Sequence, residues 1–133
     1  MKYYVGIDMG TQSMRAYLFN PEGELAADAS CEYLPVYPQP GWAECDANLW
    51  LNALKQVLGE IKEAAQISGE EIGTIAFACI DASIVPVDED CNPIDHCIIW
   101  MDSRTGEQAD ALKKVISEEE ALQISGSPIT PFQ

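Results

Sequence analysis

Histidine and positive charge are scarce in this sequence. One His stands among 133 residues, and seven Lys and Arg oppose 22 Asp and Glu, for a formal net charge of −15. The lone His96 has no histidine partner with which to build a His-based metal site. A surface of this sign repels nucleic-acid backbones and anionic lipids at long range, so neither is an expected partner. Long apolar runs are also missing: none approaches the ~18 residues that cross a bilayer. No G-x-G-x-x-G or G-K-[ST] occurs, which removes the usual dinucleotide and P-loop signatures. The five cysteines Cys31, Cys45, Cys79, Cys91 and Cys97 are odd in number and form no C-x-x-C pair. They read as reduced thiols. Met1-Lys2 leads straight into a strand pattern, so no targeting peptide and a cytoplasmic location are the expectations.

What is present is a patterned, 47% hydrophobic chain. A single domain of this length buries roughly two-thirds of its unfolded surface. Tyr3 to Asp8 (YYVGID) and Met14 to Phe19 (MRAYLF) read as strands. Asn20-Pro21-Glu22-Gly23 has the residue order of a type I turn, and Glu24 to Leu34 follows as a third, antiparallel strand. Pro35, Pro38 and Pro40 make a stiff crossing, YPQPGW. Asp46 is the expected N-cap of a long helix reaching about Gln66 and ended by Ser68-Gly69. Its apolar stripe is Trp50, Leu54, Val57, Leu58, Ile61 and Ala65. Ile72 to Ile80 (IGTIAFACI) is almost wholly apolar, which predicts a central strand covered on both faces. Val85 to Val87 and Ile94 to Trp100 flank the turn Glu89-Asp90-Cys91-Asn92 as a hairpin. Helix is expected again over Thr105 to Val115, and from Ser117, where Ser-Glu-Glu-Glu suits a capping box. Gly126 to Gln133 reads as irregular. The order β-β-β-α-β, hairpin, helices predicts a mixed sheet with helices packed on it.

The stretch D-M-G-T-Q-S, with Arg15 just beyond, joins the first two strands. Gly10 permits a tight turn and close approach of a ligand to the backbone. The hydroxyls of Thr11 and Ser13 and neighbouring N–H groups suit phosphate oxygens. Asp8 would be repelled by phosphate, yet it can hold Mg²⁺ through water. Arg15 can offer an outer phosphate a fork of donors. Taken alone the motif is weak, and an ordinary hairpin turn remains an equal reading at this point.

Three blocks together, GIDMGTQSMRAYLFNPEGE, YPQPGWAECDANLW and VPVDEDCNPIDHCIIWMDSR, resemble the FGGY family of carbohydrate kinases. The resemblance covers essentially all of the chain. It implies a ribonuclease H-like, actin-like ATPase fold, with residues 1–133 as the N-terminal, incomplete part of the first domain. It also implies transfer of the γ-phosphate of Mg-ATP to a hydroxyl of a sugar, ketose or polyol. By position, Asp8 matches the family's carboxylate that holds the metal through water. Gly10, Thr11, Gln12 and Ser13 match its phosphate loop, and Arg15 a basic residue near the transferred phosphate. Trp100 matches a position beside the substrate, with Asp102 and Arg104 as the polar part of the same W-x-D-x-R motif. Trp100 reads equally as a strand-end core residue, and Asp102 with Arg104 as a local ion pair capping the next helix. Trp42 is either an anchor of the proline crossing or part of the sugar pocket, while Trp50 belongs to the helix stripe.

Two departures from the family pattern matter. At Cys79-Ile80-Asp81-Ala82-Ser83 the Arg-Glu pair of glycerol kinases and the Met-His-Gly of xylulokinases are both missing. Asp81-Ala82-Ser83 is closer to the Asp-Ala-Thr or Asp-Ser-Thr of ribulokinase-like members. That favours a pentulose, with Asp81 and Ala82 at the substrate, although Asp81 also reads as a solvated strand end. Length is the other departure. The family's catalytic Asp base is expected beyond Gln133, so the chain alone is expected to be inactive and to self-associate through surface left bare. A non-catalytic phosphate- or sugar-binding module, or an acidic interaction domain, stands as the alternative.

Overall fold

The computed structural model describes residues 2–132, leaving Met1 and Gln133 outside. Strands β1 (Tyr3–Met9), β2 (Ser13–Phe19) and β3 (Leu25–Glu32) form the expected antiparallel meander. The β2–β3 turn closes through the Gly23 N–H to the Asn20 carbonyl at 3.0 Å, with Gly23 at φ 85°. That φ suits glycine because no Cβ resists it. The Asn20 side-chain oxygen accepts from the Glu22 and Glu24 N–H groups, an Asx-type support for the turn.

A short strand β4 (Glu44–Cys45) precedes helix α1 (Ala47–Ala65). Asp46 caps α1 as expected, accepting from the Asn48 N–H at 2.9 Å. The helix stops sooner than Ser68-Gly69: Gln66 adopts the left-handed conformation (φ 53°), and its N–H and that of Ile67 return to Glu63 and Lys62. Trp50, Ala53, Val57 and Ile61 are buried, and Leu54, Leu58 and Ala65 pack beside them. The helix lies over β2 and β3, so Met14, Ala16, Leu18, Val5 and Ile7 form the core beneath it.

Strand β5 (Ile72–Cys79) pairs parallel to β1, giving the sheet order β3-β2-β1-β5. The expected burial of this strand on both faces is not what the structure shows. It is one of the sheet's two edge strands, and Gly73 to Cys79 are exposed, with Phe77 52% accessible. The reason is the placement of α1. Ile75 and Phe77 sit in register with Val5 and Ile7 and so share the helix-facing side, but α1 crosses the opposite half of the sheet.

The predicted hairpin over residues 85–100 is reduced to isolated bridges. Val87 meets Pro93, Ile84 meets Ile98, and only Cys97–Ile98 (β6) forms a strand, paired with β4. Its turn is held instead by the Asp88 carboxylate, which accepts from the N–H groups of Asp90 and Asn92. Helices α2 (Gly106–Leu112) and α3 (Glu118–Ser125) follow. Only half of the capping box at Ser117 forms, its hydroxyl accepting from the Glu120 N–H at 3.2 Å. Glu118 is drawn to Lys113 at 2.8 Å. The five cysteines are free thiols.

Candidate phosphate and substrate site

Residues 10–12 join β1 to β2 in a tight bend that would crowd a side chain at its first position. The Gly10 N–H donates to the Ser13 carbonyl at 2.9 Å, and a Cβ on Gly10 would stand 3.1 Å from that same oxygen. The sequence did not announce what braces this bend. Tyr33, just past β3, is 5% exposed. Its hydroxyl donates to the Gly10 carbonyl (2.5 Å), lies 3.1 Å from that of Ser13, and its N–H donates to the Gln12 carbonyl. Burial, then the neighbouring Cys45 and Asp8, push the Tyr33 phenol up to about 12, so it stays a donor at any working pH. Removing the hydroxyl in Tyr33→Phe is expected to cost about 1–2 kcal/mol, because the Gly10 carbonyl loses its donor while that of Ser13 keeps the Gly10 N–H. Urea melts measure the cost, and faster amide exchange confined to residues 10–13 identifies the loop as the part released. Unchanged exchange there would show that Tyr33 does not hold it.

Asp8 and Arg15 are direct cross-strand partners, and their side chains point to the sheet face opposite α1. The guanidinium donates to the carboxylate at 2.9 Å, with each side chain about half exposed. Such a solvated pair is worth little to stability and is free to change partners. A cavity of about 360 Å³ opens beside it, lined by Gly10, Thr11, Gln12, Ser13, Arg15, Trp100 and Met101. Arg15 is the one cation in that lining. Two hydroxyls, a tight backbone turn and a mobile guanidinium suit the oxygens of a phosphate chain. No group of three or more metal-ligating side chains exists among the described residues. The single accessible carboxylate of Asp8 fits a magnesium ion that keeps most of its waters and takes its other ligands from phosphate.

Trp100 follows Ile99 just after β6, and its indole N–H donates to the Thr11 hydroxyl at 3.0 Å. The indole is 46% exposed, which removes the reading as a buried core residue. It also lines a second cavity, of about 320 Å³, with Ile80, Asp81, Ala82 and Phe132. Asp81 and Ala82 thus share a cavity lining with Trp100. The Asp81 carboxylate is folded onto the Ala82 N–H at 2.7 Å, and Ala82 takes the left-handed conformation at φ 49°. That conformation strains a residue with a Cβ and aims the bend that carries Asp81.

Asp102 and Arg104 lie elsewhere. Asp102 is 4% exposed and lines neither cavity. Its carboxylate accepts from the Ala43 N–H (2.7 Å), the Arg104 N–H (2.8 Å) and the Arg104 guanidinium (2.7–2.9 Å). Arg104 also reaches Glu44 at 2.7 Å and stacks on Trp42, 3.7 Å from its ring centre. The four residues form a latch that ties the proline crossing to the turn after β6. Burial works to raise the Asp102 carboxyl, but hydrogen bonds from Arg104 and Ala43 outweigh it and hold the group below its usual range. A direct substrate contact does not suit a carboxylate whose oxygens are already filled. The geometry supports the ion-pair reading of this part of the motif, and it makes Trp42 an anchor of the crossing.

Another cavity, of about 450 Å³, lies between α2, α3 and residues 127–130. No titratable side chain lines it, so it offers none of the chemistry gathered around the loop.

Residues 3–133 match the N-terminal domain of the FGGY family of carbohydrate kinases. The chain belongs to that family. It is 34% identical over 133 residues to a glycerol kinase of Staphylococcus epidermidis, covering 98% of this chain and 26% of the relative. It is 27% identical to a xylulose kinase of Staphylococcus xylosus, covering 97% of this chain and 26% of the relative. Among solved structures, the xylulose kinase from Rhodospirillum rubrum superposes with a TM-score of 0.89 at 27% identity, over 98% of this chain and 27% of that one. The fold is the actin-like ATPase fold of the FGGY sugar kinases. The chain spans about a quarter of the length of the relatives it matches.

Proposed function

We propose that residues 1–133 are the phosphate-loop and substrate-wall portion of an ATP-dependent kinase acting on a ketose or polyol, with a pentulose favoured. The observation that carries this reading is the shared wall. A loop suited to phosphate and a cavity bearing Asp81 meet at one exposed indole, Trp100. A sugar in the second cavity can lay its C–H face on that indole and offer hydroxyl protons to Asp81. One of its hydroxyls then lies toward the phosphate loop.

In the reaction, a sugar oxygen attacks the γ-phosphorus while the bond from that phosphorus to the β-phosphate oxygen breaks, and ADP leaves. The attacking hydroxyl's proton passes to a carboxylate base that this family reading assigns outside residues 1–133. Asp8 would hold a magnesium ion, which would supply charge neutralisation on the phosphates. Thr11 and Ser13 orient phosphate oxygens, and Arg15 turns from Asp8 toward the transferred group. Asp102, Arg104, Glu44 and Trp42 position the Trp100 turn without touching substrate.

The test is a coupled ADP-release assay on the full-length protein with ribulose, xylulose, glycerol and erythritol. Turnover highest on a pentulose is expected, with none from residues 1–133 alone. Preference for glycerol would overturn the substrate assignment. No substrate-dependent ADP from the full-length protein on any of the four would favour a non-catalytic binding module.

A further inference from the structure

We infer that the hydrogen bond from Trp100 to Thr11 couples the two cavities, so that a sugar against the indole tightens the loop's hold on nucleotide phosphate, and the reverse. The inference rests on the kinase reading and adds to it a route between its two ligands.

The argument starts from the hydroxyl. A threonine hydroxyl has one proton and two acceptor sites. In this structure its oxygen accepts from the indole Nε1 at 3.0 Å. That directs the threonine's own proton away from the indole, leaving it to donate to an anion in the loop cavity. An indole N–H can only donate, so Trp100 fixes the direction of the bond. The two residues are 89 positions apart in the chain, so the bond depends on both turns being in place.

Next comes the freedom of the ring. Trp100 is 46% exposed and lines both the Asp81 cavity and the loop cavity. Its backbone is fixed nearby, where the Asp102 N–H donates to the Ile99 carbonyl and Asp102 joins the buried latch. The backbone is therefore held, so any motion left to the half-exposed indole is that of its side-chain torsions, with Thr11 as its polar tether. A sugar lying on the ring removes that freedom at its own cost. The loop then meets phosphate with Thr11 already oriented, and pays less to bind it. Linkage requires the same factor in the other direction.

The experiment measures the dissociation constant of the full-length protein for a magnesium complex of a non-hydrolysable ATP analogue, with and without saturating ribulose. Trp100→Phe keeps an aromatic face and removes the donor. Thr11→Val removes the acceptor, and Thr11→Ser keeps it. In the unmodified protein ribulose should tighten the analogue about fivefold, the factor that one hydrogen bond can transmit. In Trp100→Phe and Thr11→Val that factor should fall to about one, and Thr11→Ser should restore it. The coupling factor is read as a ratio within each variant, so a change in the ribulose affinity of Trp100→Phe itself does not enter it. A merely structural role would shift the melting temperature or both affinities together and leave the coupling factor intact.

A factor that survives Trp100→Phe overturns the inference while leaving the kinase reading standing. An unmodified protein that binds both ligands independently also overturns it alone. If the unmodified protein binds neither, the kinase reading falls and the coupling with it.

Discussion

Asp102→Ala is expected to be the most destabilising single change in the site region, costing about 3–5 kcal/mol, the range for breaking a buried ion pair from one side. The carboxylate fills one buried position and satisfies three sets of donors: the Ala43 N–H, the Arg104 N–H and the Arg104 guanidinium. Truncation leaves the Ala43 N–H without its partner and leaves the Arg104 side chain, 20% exposed, with Glu44 as its one remaining carboxylate. Domains of this size have about 5–15 kcal/mol in total, so the variant should be largely unfolded under mild denaturant. Asp102→Asn keeps an oxygen for Ala43 and should lose less. The two together separate the lost charge from the lost hydrogen bond.

The same group sets an acid limit. Its carboxyl is held below the ordinary value in the folded chain. Between that depressed value and the ordinary one near 4, the unfolded chain binds more protons than the folded one. The contribution is therefore complete above the ordinary value and is lost as pH falls through the folded one. Urea midpoints measured from neutral pH down to acid should drop over that window. In Asp102→Asn this component of the drop should be missing. An identical acid limb in both proteins would show that another carboxylate governs it.

The second large effect concerns turnover. Asp8→Ala in the full-length protein should lower kcat by about a hundredfold to a thousandfold, the scale for removing one preorganised electrostatic contact to a developing charge. It should barely move the melting temperature, because the Asp8–Arg15 pair is half exposed and solvated. The combination matters: a folded protein with little turnover places Asp8 in the phosphate machinery. A variant that loses turnover and stability together would make Asp8 a strut of the β1–β2 pair. Normal turnover would remove it from the mechanism.

Much of the fold could be read from the sequence where the forces are local. The meander follows from alternating strand residues and from a turn whose Asn20, Pro21 and Gly23 each have a fixed conformational task. The Asp46 cap and the α1 stripe follow from a side chain that reaches two residues on and from a 3.6-residue repeat. Strand β5 was misjudged because an apolar run reports what a strand can bury, and here α1 covers the other half of the sheet. Strands β4 and β6 are two residues each, too short for any periodicity to show.

The site divides along the same line. The loop 10–13 and Arg15 are contiguous in sequence and line one cavity, while Asp8 joins them only through its bond to Arg15 and itself lines a separate cavity with Tyr17 and Phe77. Asp81, Ala82 and Trp100, each placed at the substrate by resemblance alone, line one cavity. Tyr33 was missed because its contacts with Gly10 and Ser13 span 23 and 20 residues and leave no local pattern. Its aromatic position at the end of β3, before a proline, was the only signal available. For Asp102 and Arg104, the W-x-D-x-R spelling reveals two charges near a tryptophan. It does not reveal that Ala43 and Glu44, about 60 residues earlier, occupy both of them.

The central claim is that the bend after β1 holds a magnesium-bridged phosphate. It is tested most directly by titrating residues 1–133 into Mg-ATP and following the phosphorus NMR resonances, with Asp8→Ala and Thr11→Ala as controls. Saturable shifts of the β and γ signals, weakened in both variants, are the predicted result. Phosphorus signals that stay at their free positions, or shifts that both variants reproduce, would contradict it.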